Sequence, residues 1–126
     1  MESFTPDGHL VAIDRQGRIV TLELPSGKEI SSFQARNPSQ EISAGLCLSP
    51  DGAKLAVTSE SQRGVDIWDF KTGTRLYSLP DEPGTVYWLA WSPDSRRLAI
   101  ARDNGNIAIW NLATVSQILT RLGLNP

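Results

Sequence analysis

Apolar residues in this chain come in short runs, most alternating with polar ones, and turn residues separate the runs. The middle of the chain shows it best. Ala44–Ser49 is short and apolar, Pro50–Gly52 is a tight turn, Ala53–Ser59 has strand character, and a polar loop, Glu60–Gly64, follows. Val65–Phe70 then alternates, Lys71–Gly73 turns again, and Thr74–Leu79 ends the series. A period of two with β-branched and aromatic residues predicts strands. Pro-Asp-Gly predicts the turn: Pro pre-sets φ, Asp bonds its own backbone, and Gly accepts positive φ. The result is four strands joined by hairpins in about 43 residues, within the range of known repeat periods.

The same series occurs three times. Asp7, Asp51 and Asp94 each follow a proline, 44 and 43 residues apart. The landmark that ends the third strand is Leu22, then Trp68, then Trp110. In the last copy Asp103-Asn104-Gly105 joins two apolar runs, a strong hairpin signal. There Val115–Leu122 is read as the fourth strand, by register with Thr74–Leu79. In the first copy only Met1–Thr5 precede the turn, so its first strand is nearly missing. Four antiparallel strands at this period form the blade of a β-propeller. The predicted fold is all-β, with three four-stranded antiparallel blades at residues 1–36, 41–80 and 84–122.

The string Ser49–Gly52, with Leu55–Ala56 and Ile67–Asp69, resembles the WD-repeat β-propeller family. Ser92–Ser95, Leu98–Ala99 and Ile109–Asn111 are similar, with Ser for Gly and Asn for Asp; the first blade matches through Phe4–Gly8. Leu22-Glu23 stands there in place of Trp-Asp, and the family's Gly-His pair before each inner strand is absent. The buried His–Ser/Asp–Trp network of many members is therefore not expected. The resemblance implies a rigid, non-enzymatic interaction module, with partners on the loop face or the central opening.

Three blades do not close a propeller, which needs four to eight. Leu55 and Val57 alternate with Ala56, and Leu98 and Ile100 with Ala99, so both faces of a blade are apolar. A bare face of roughly 300–500 Å² would forgo about 8–12 kcal/mol as an upper estimate, and patches of that size mark interfaces. The expectation is a homodimer closing a six-bladed ring, blade three of each copy on blade one of the other. The alternative is a fragmentary or engineered self-assembling propeller with no native ligand; the first strand's abrupt start favours a piece of a larger propeller.

Binding residues are sought where the repeat does not demand bulk. Trp68, Trp110 and Trp91 occupy matched packing positions. Trp88 aligns with Gly45, beside the loop Pro80–Gly84. In the family the loops from one blade's outer strand to the next inner strand lie on the partner face, and Tyr and Trp are enriched at binding hot spots. Tyr87, Trp88, Asp81 and Glu82, with Arg36 and Arg102 from neighbouring loops, form the candidate surface. The plainer alternative for Trp88 is filling the central channel.

Composition narrows the rest. Of 126 residues, 40% are hydrophobic and 21% charged, and 12 basic residues against 14 acidic give a net charge of −2. That leaves no electrostatic footprint for nucleic acid. No apolar run approaches the roughly 20 residues of a membrane span, and the N-terminus lacks a signal segment, so the expected compartment is the cytoplasm. One cysteine, Cys47, excludes an internal disulfide, and one histidine, His9, leaves no base for a nucleophile. The loop at Asp103 lacks the second acidic ligand and the terminal Glu of a calcium loop. No enzyme activity, cofactor or metal is expected; the expected partners are a second copy and a protein or peptide on the loop face.

Overall fold

The computed structural model describes residues 2–38 and 45–123. Its strands are β1 (Glu2–Phe4), β2 (Leu10–Ile13), β3 (Arg18–Leu22), β4 (Glu29–Gln34), β5 (Leu46–Leu48), β6 (Lys54–Thr58), β7 (Val65–Asp69), β8 (Thr74–Leu79), β9 (Val86–Trp91), β10 (Arg97–Arg102) and β11 (Ile107–Asn111). One helix, α1 (Leu112–Arg121), follows. The strands form three antiparallel meanders: β1–β4, β5–β8 and β9–β11. Ala44, in the expected first strand of the second unit, and the expected unit starts at 1 and 41 lie outside the described residues. The short first strand does form: Ser3 pairs with Val11, and Phe4 with Leu10.

The turns after β1, β5 and β9 follow one design. The Ser or Thr carbonyl before the proline accepts from the amide three residues on, as in Gly52 N to Ser49 O at 2.8 Å and Ser95 N to Ser92 O at 2.9 Å. Positive φ is met by Gly8 and Gly52 but by Ser95 in the third copy, at φ 61°. Left-handed backbone costs a non-glycine residue about 1–2 kcal/mol. Ser95 offsets part of this, since its Oγ accepts from the Asp51 amide of the neighbouring turn at 3.1 Å. The turn aspartates are fixed by hydroxyls: Ser49 to Asp51 and Ser92 to Asp94, both at 2.6 Å, and Thr5 to Asp7. These bonds hold all three carboxyl groups below the usual 3.8.

Alternation sends one set of side chains from each sheet to each neighbour. Val11 and Ile19 of sheet one meet Leu46, Leu48, Leu55, Val57 and Trp68 of sheet two. The Trp68 ring tilts against Phe33, centroids 5.3 Å apart. From the opposite face of sheet two, Ala56, Ile67 and Leu79 meet Leu89, Leu98 and Ile100 of sheet three. Each fully buried aliphatic contributes about 1.5–3 kcal/mol. Inner strands are also tied across sheets: Leu48 N donates to Ser3 Oγ at 3.2 Å, and Trp91 Nε1 to the Cys47 carbonyl at 2.7 Å.

The third sheet departs from expectation. Its fourth strand, expected over Val115–Leu122, is absent, and helix α1 stands in its place. In sheets one and two the turn after the third strand ends on a glycine at positive φ, Gly27 at 73° and Gly73 at 67°. Their amides bond back to Glu23 O and Asp69 O. By register the third copy has Val115 there, and a β-branched residue cannot hold that conformation cheaply. Asn111, the counterpart of Asp69, instead caps a helix by accepting from Thr114 N at 3.1 Å. Leu112 and Val115 then pack into the core between sheets two and three.

Gly73→Val should lower stability by about 2 kcal/mol, since its Cβ would also lie 3.0 Å from the Phe33 ring; an unchanged urea midpoint would refute this account of the turn. The turn carboxylates bind protons less readily folded than unfolded, so their contribution is full above pH 3.8 and is lost as pH falls through the lower folded values. An acid titration should therefore show a stability plateau at neutral pH and a decline starting near 3.8, shallower in Asp51→Ala.

Candidate interaction surface

The connection from β8 to β9 is clamped between two hairpin loops. Glu82 N donates to Arg63 O at 3.2 Å and Val86 N to Gln62 O at 2.8 Å. On the other side Thr85 N donates to Asp103 Oδ1 at 2.9 Å, and Asn104 Nδ2 to Pro83 O at 3.0 Å. Gly84 is required here: its φ is 97°, and a Cβ would meet Asn104 at 2.7 Å.

Three of the candidate residues meet in this clamp. Arg102 is 2% exposed. Its Nη1 pairs with Glu82 Oε2 at 3.1 Å, its Nη2 donates to Arg63 O at 3.0 Å, and its buried Nε has no partner among the described residues. Asp81 lies 3.9 Å from Arg63 Nη2, with both side chains well exposed. Asp81 and Glu82 therefore face water at the loop end, while Arg102 holds the loop from within.

Arg36 occupies the equivalent junction between sheets one and two. Its amide donates to Gly17 O at 3.2 Å. With Asn37, Pro38, Glu60 and Gln62 it lines a cleft of about 200 Å³. Asn37 N donates to Glu60 Oε1 at 2.7 Å, the counterpart of the clamp on the next connection.

Tyr87 and Trp88 are 59% and 58% exposed. Tyr87 is the extra residue of a β-bulge, since Ala101 pairs with Trp88 but Arg102 with Val86. Trp88, in register with Ala101 and through it with Ile107, stands on the open face of sheet three. Ile107 and Ile109 lie on that face, 72% and 69% exposed, with Ala90 and Ala99 between them and Trp88. The sequence pattern did not single out these isoleucines as binding residues. The signal was present, because they align with Val65 and Ile67, which are 1% and 0% exposed. At the other end sheet one leaves Phe4, 61% exposed, with half-buried Leu10, Ala12 and Leu22 on its open face.

A family model described as "WD domain, G-beta repeat" matches residues 73–111. Residues 73–111 thus carry a WD repeat. The chain is 28% identical to Autophagy-related protein 18 of Schizosaccharomyces pombe over 99% of its own length. It is 33% identical to the Protein LST8 homolog of Drosophila melanogaster over 63% of its length. It spans 33% and 25% of those two proteins. Its fold is similar to chains in two solved structures, titled "Crystal Structure of Mitotic Checkpoint Complex" (TM-score 0.70, 24% identity, 90% of this chain and 36% of that one) and "Structure of U3-55K" (0.72, 20%, 88% and 35%). WD-repeat proteins are generally protein-interaction scaffolds, and nothing in these likenesses points to catalysis.

The family match ends at Asn111, where the third sheet loses its repeat pattern. Another family feature is also missing: the Trp68 indole N–H has no hydrogen-bond partner among the described residues. Here Trp68 acts through packing. Arg102→Met should lower stability by about 2 kcal/mol, because it removes charge-assisted bonds to Glu82 and Arg63 O; equal urea midpoints for variant and parent would show that the clamp holds without it.

Proposed function

We propose that this chain is a non-enzymatic propeller scaffold that binds other proteins and assembles through its two open blade faces. One observation carries the reading: the open faces are the two halves of an interface the molecule already makes twice. The open face of sheet three, with Ala90, Ala99, Ile107 and Ile109, matches the face of sheet two, with Cys47, Ala56, Val65 and Ile67, that packs on sheet three. The open face of sheet one, with Phe4, Leu10, Ala12 and Leu22, matches the face of sheet two, with Leu48, Leu55, Val57 and Trp68, that packs on sheet one. A head-to-tail contact of this kind closes if the rotation allows, and two copies give six blades. Trp88 is the largest exposed side chain on the meeting face, in the place of Gly45. The loop end, with Asp81, Glu82, Tyr87 and Arg36, is then the surface offered to a protein or peptide partner in the cytoplasm.

A second reading has one observation in its favour. The chain spans about a third of its relatives' length, and further blades of a longer polypeptide would cover the same faces. Sedimentation of the 126-residue chain separates the two. Self-assembly predicts twice the 13.8 kDa chain mass, with dimerisation weakened at least about 10-fold by Trp88→Ala or Ile109→Asp. A folded monomer at high micromolar concentration would overturn self-assembly and leave the second reading.

A further inference from the structure

The rim of sheet three presents a different kind of surface from its face. Strand β11 is the outer strand of a three-stranded sheet, and among the described residues nothing pairs with its outer edge. Backbone bonds fix which groups point outward. Arg102 N donates to Asn106 O, and Leu112 N to Arg96 O. Between these closed pairs the antiparallel pattern alternates. Ala108 and Trp110 therefore bond to β10, while Ile107, Ile109 and Asn111 direct N–H and C=O away from the sheet. Such an edge is a template for another strand.

Sheet two shows the same edge filled. There β8 pairs with β7, with Leu79 opposite Val65, Ser78 opposite Asp66 and Tyr77 opposite Ile67. Leu79 is 5% exposed. Transferred to sheet three, these positions face Ile107, Ala108 and Ile109. The middle one opens on a cleft of about 250 Å³ lined by Glu82, Pro83, Arg102, Asn106, Ile107 and Ala108. Arg102 in its wall is buried with its Nε unpaired. A guanidinium has five N–H donors; Glu82 and Arg63 O take one each from Nη1 and Nη2, so these two nitrogens keep donors for an acceptor arriving from this cleft. Glu82 already supplies a negative charge there, so a neutral hydroxyl or amide oxygen fits better than a carboxylate.

We infer that the outer edge of β11 binds an extended segment of a partner protein by strand addition, and that the segment carries an apolar–acceptor–apolar triplet whose middle Ser, Thr or Asn side chain reaches Arg102. The site is on the rim, so it stands apart from the blade-face assembly proposed above.

The probe is a peptide with the sequence of the chain's own β8, Thr-Arg-Leu-Tyr-Ser-Leu, added at about 1 mM to the full chain. Amide hydrogen exchange is read residue by residue. Binding should slow exchange at Ile107, Ile109 and Asn111 by about 10-fold or more, leaving Ala108 and Trp110 as they were. N-methylation at the Tyr and final Leu should abolish the effect. Replacing the peptide Ser by Ala should weaken binding about 5-fold, and that difference should vanish in Arg102→Met. Should Arg102→Met not fold, Ala108→Glu, which fills the cleft entrance, must abolish binding instead. Any of three results overturns the inference: no added protection, binding indifferent to N-methylation, or edge amides already protected in the free chain because its own C-terminal segment pairs there. Repeating the measurement on Trp88→Ala keeps the two proposals apart, because rim binding persists there whether or not the faces associate.

Discussion

Everything in this molecule depends on one contact, the face of one small sheet against the face of the next. A four-stranded sheet of five-residue strands cannot bury its apolar residues by itself. Sheet two solves this on both sides, giving Leu55, Val57 and Trp68 to its predecessor and Ala56 and Ile67 to its successor. Large residues meet the predecessor and mostly smaller ones meet the successor, so the contact has a direction. A directional contact between near-identical units propagates, and any run that does not close on itself leaves one unmatched face of each kind. The exposure of Phe4 at one end and of Trp88, Ile107 and Ile109 at the other results from that.

The loops add alignment to this packing. The Glu82–Arg102 pair, with the backbone bonds at Arg63, Gln62 and Asp103, locks the sheet-to-sheet connection from both sides. The first junction repeats the device more lightly through Asn37 and Glu60. Polar groups so deployed set the angle between sheets, while apolar contacts supply most of the energy. The six candidate binding residues consequently serve different tasks. Arg102 supports the loop, Asp81 and Glu82 sit on its exposed side, Arg36 belongs to the other junction, and Trp88 lies on a blade face next to Tyr87 at the bulge.

The third sheet shows how one position redirects a whole element. Asp69 and Asn111 each cap the next stretch of backbone with the same side-chain oxygen. Where a glycine comes four residues later the chain reverses into a strand, and where Val115 comes it continues as a helix. The consequence reaches the surface, because without a fourth strand the outer edge of β11 is left unpaired among the described residues. The WD repeat matched over residues 73–111 ends at Asn111, where this switch begins.

The repeat, its strands and its turns were legible in the sequence because they rest on local rules. Period-two alternation, Pro-Asp-Gly turns and the spacing of Asp7, Asp51 and Asp94 need no tertiary information. The switch at Val115 was written there too, in the missing glycine, but register with Thr74–Leu79 outweighed it. Other features were decided only by the packed structure. Arg102 reads as a loop residue, yet the β10 alternation that buries Leu98 and Ile100 carries it inward as well. Trp88 reads as a loop neighbour, yet its register with Ala101 puts it on the sheet face that has no neighbour among the described residues. A sequence lists which side chains alternate; which side of a sheet finds a neighbour depends on how many sheets there are and where the stack stops.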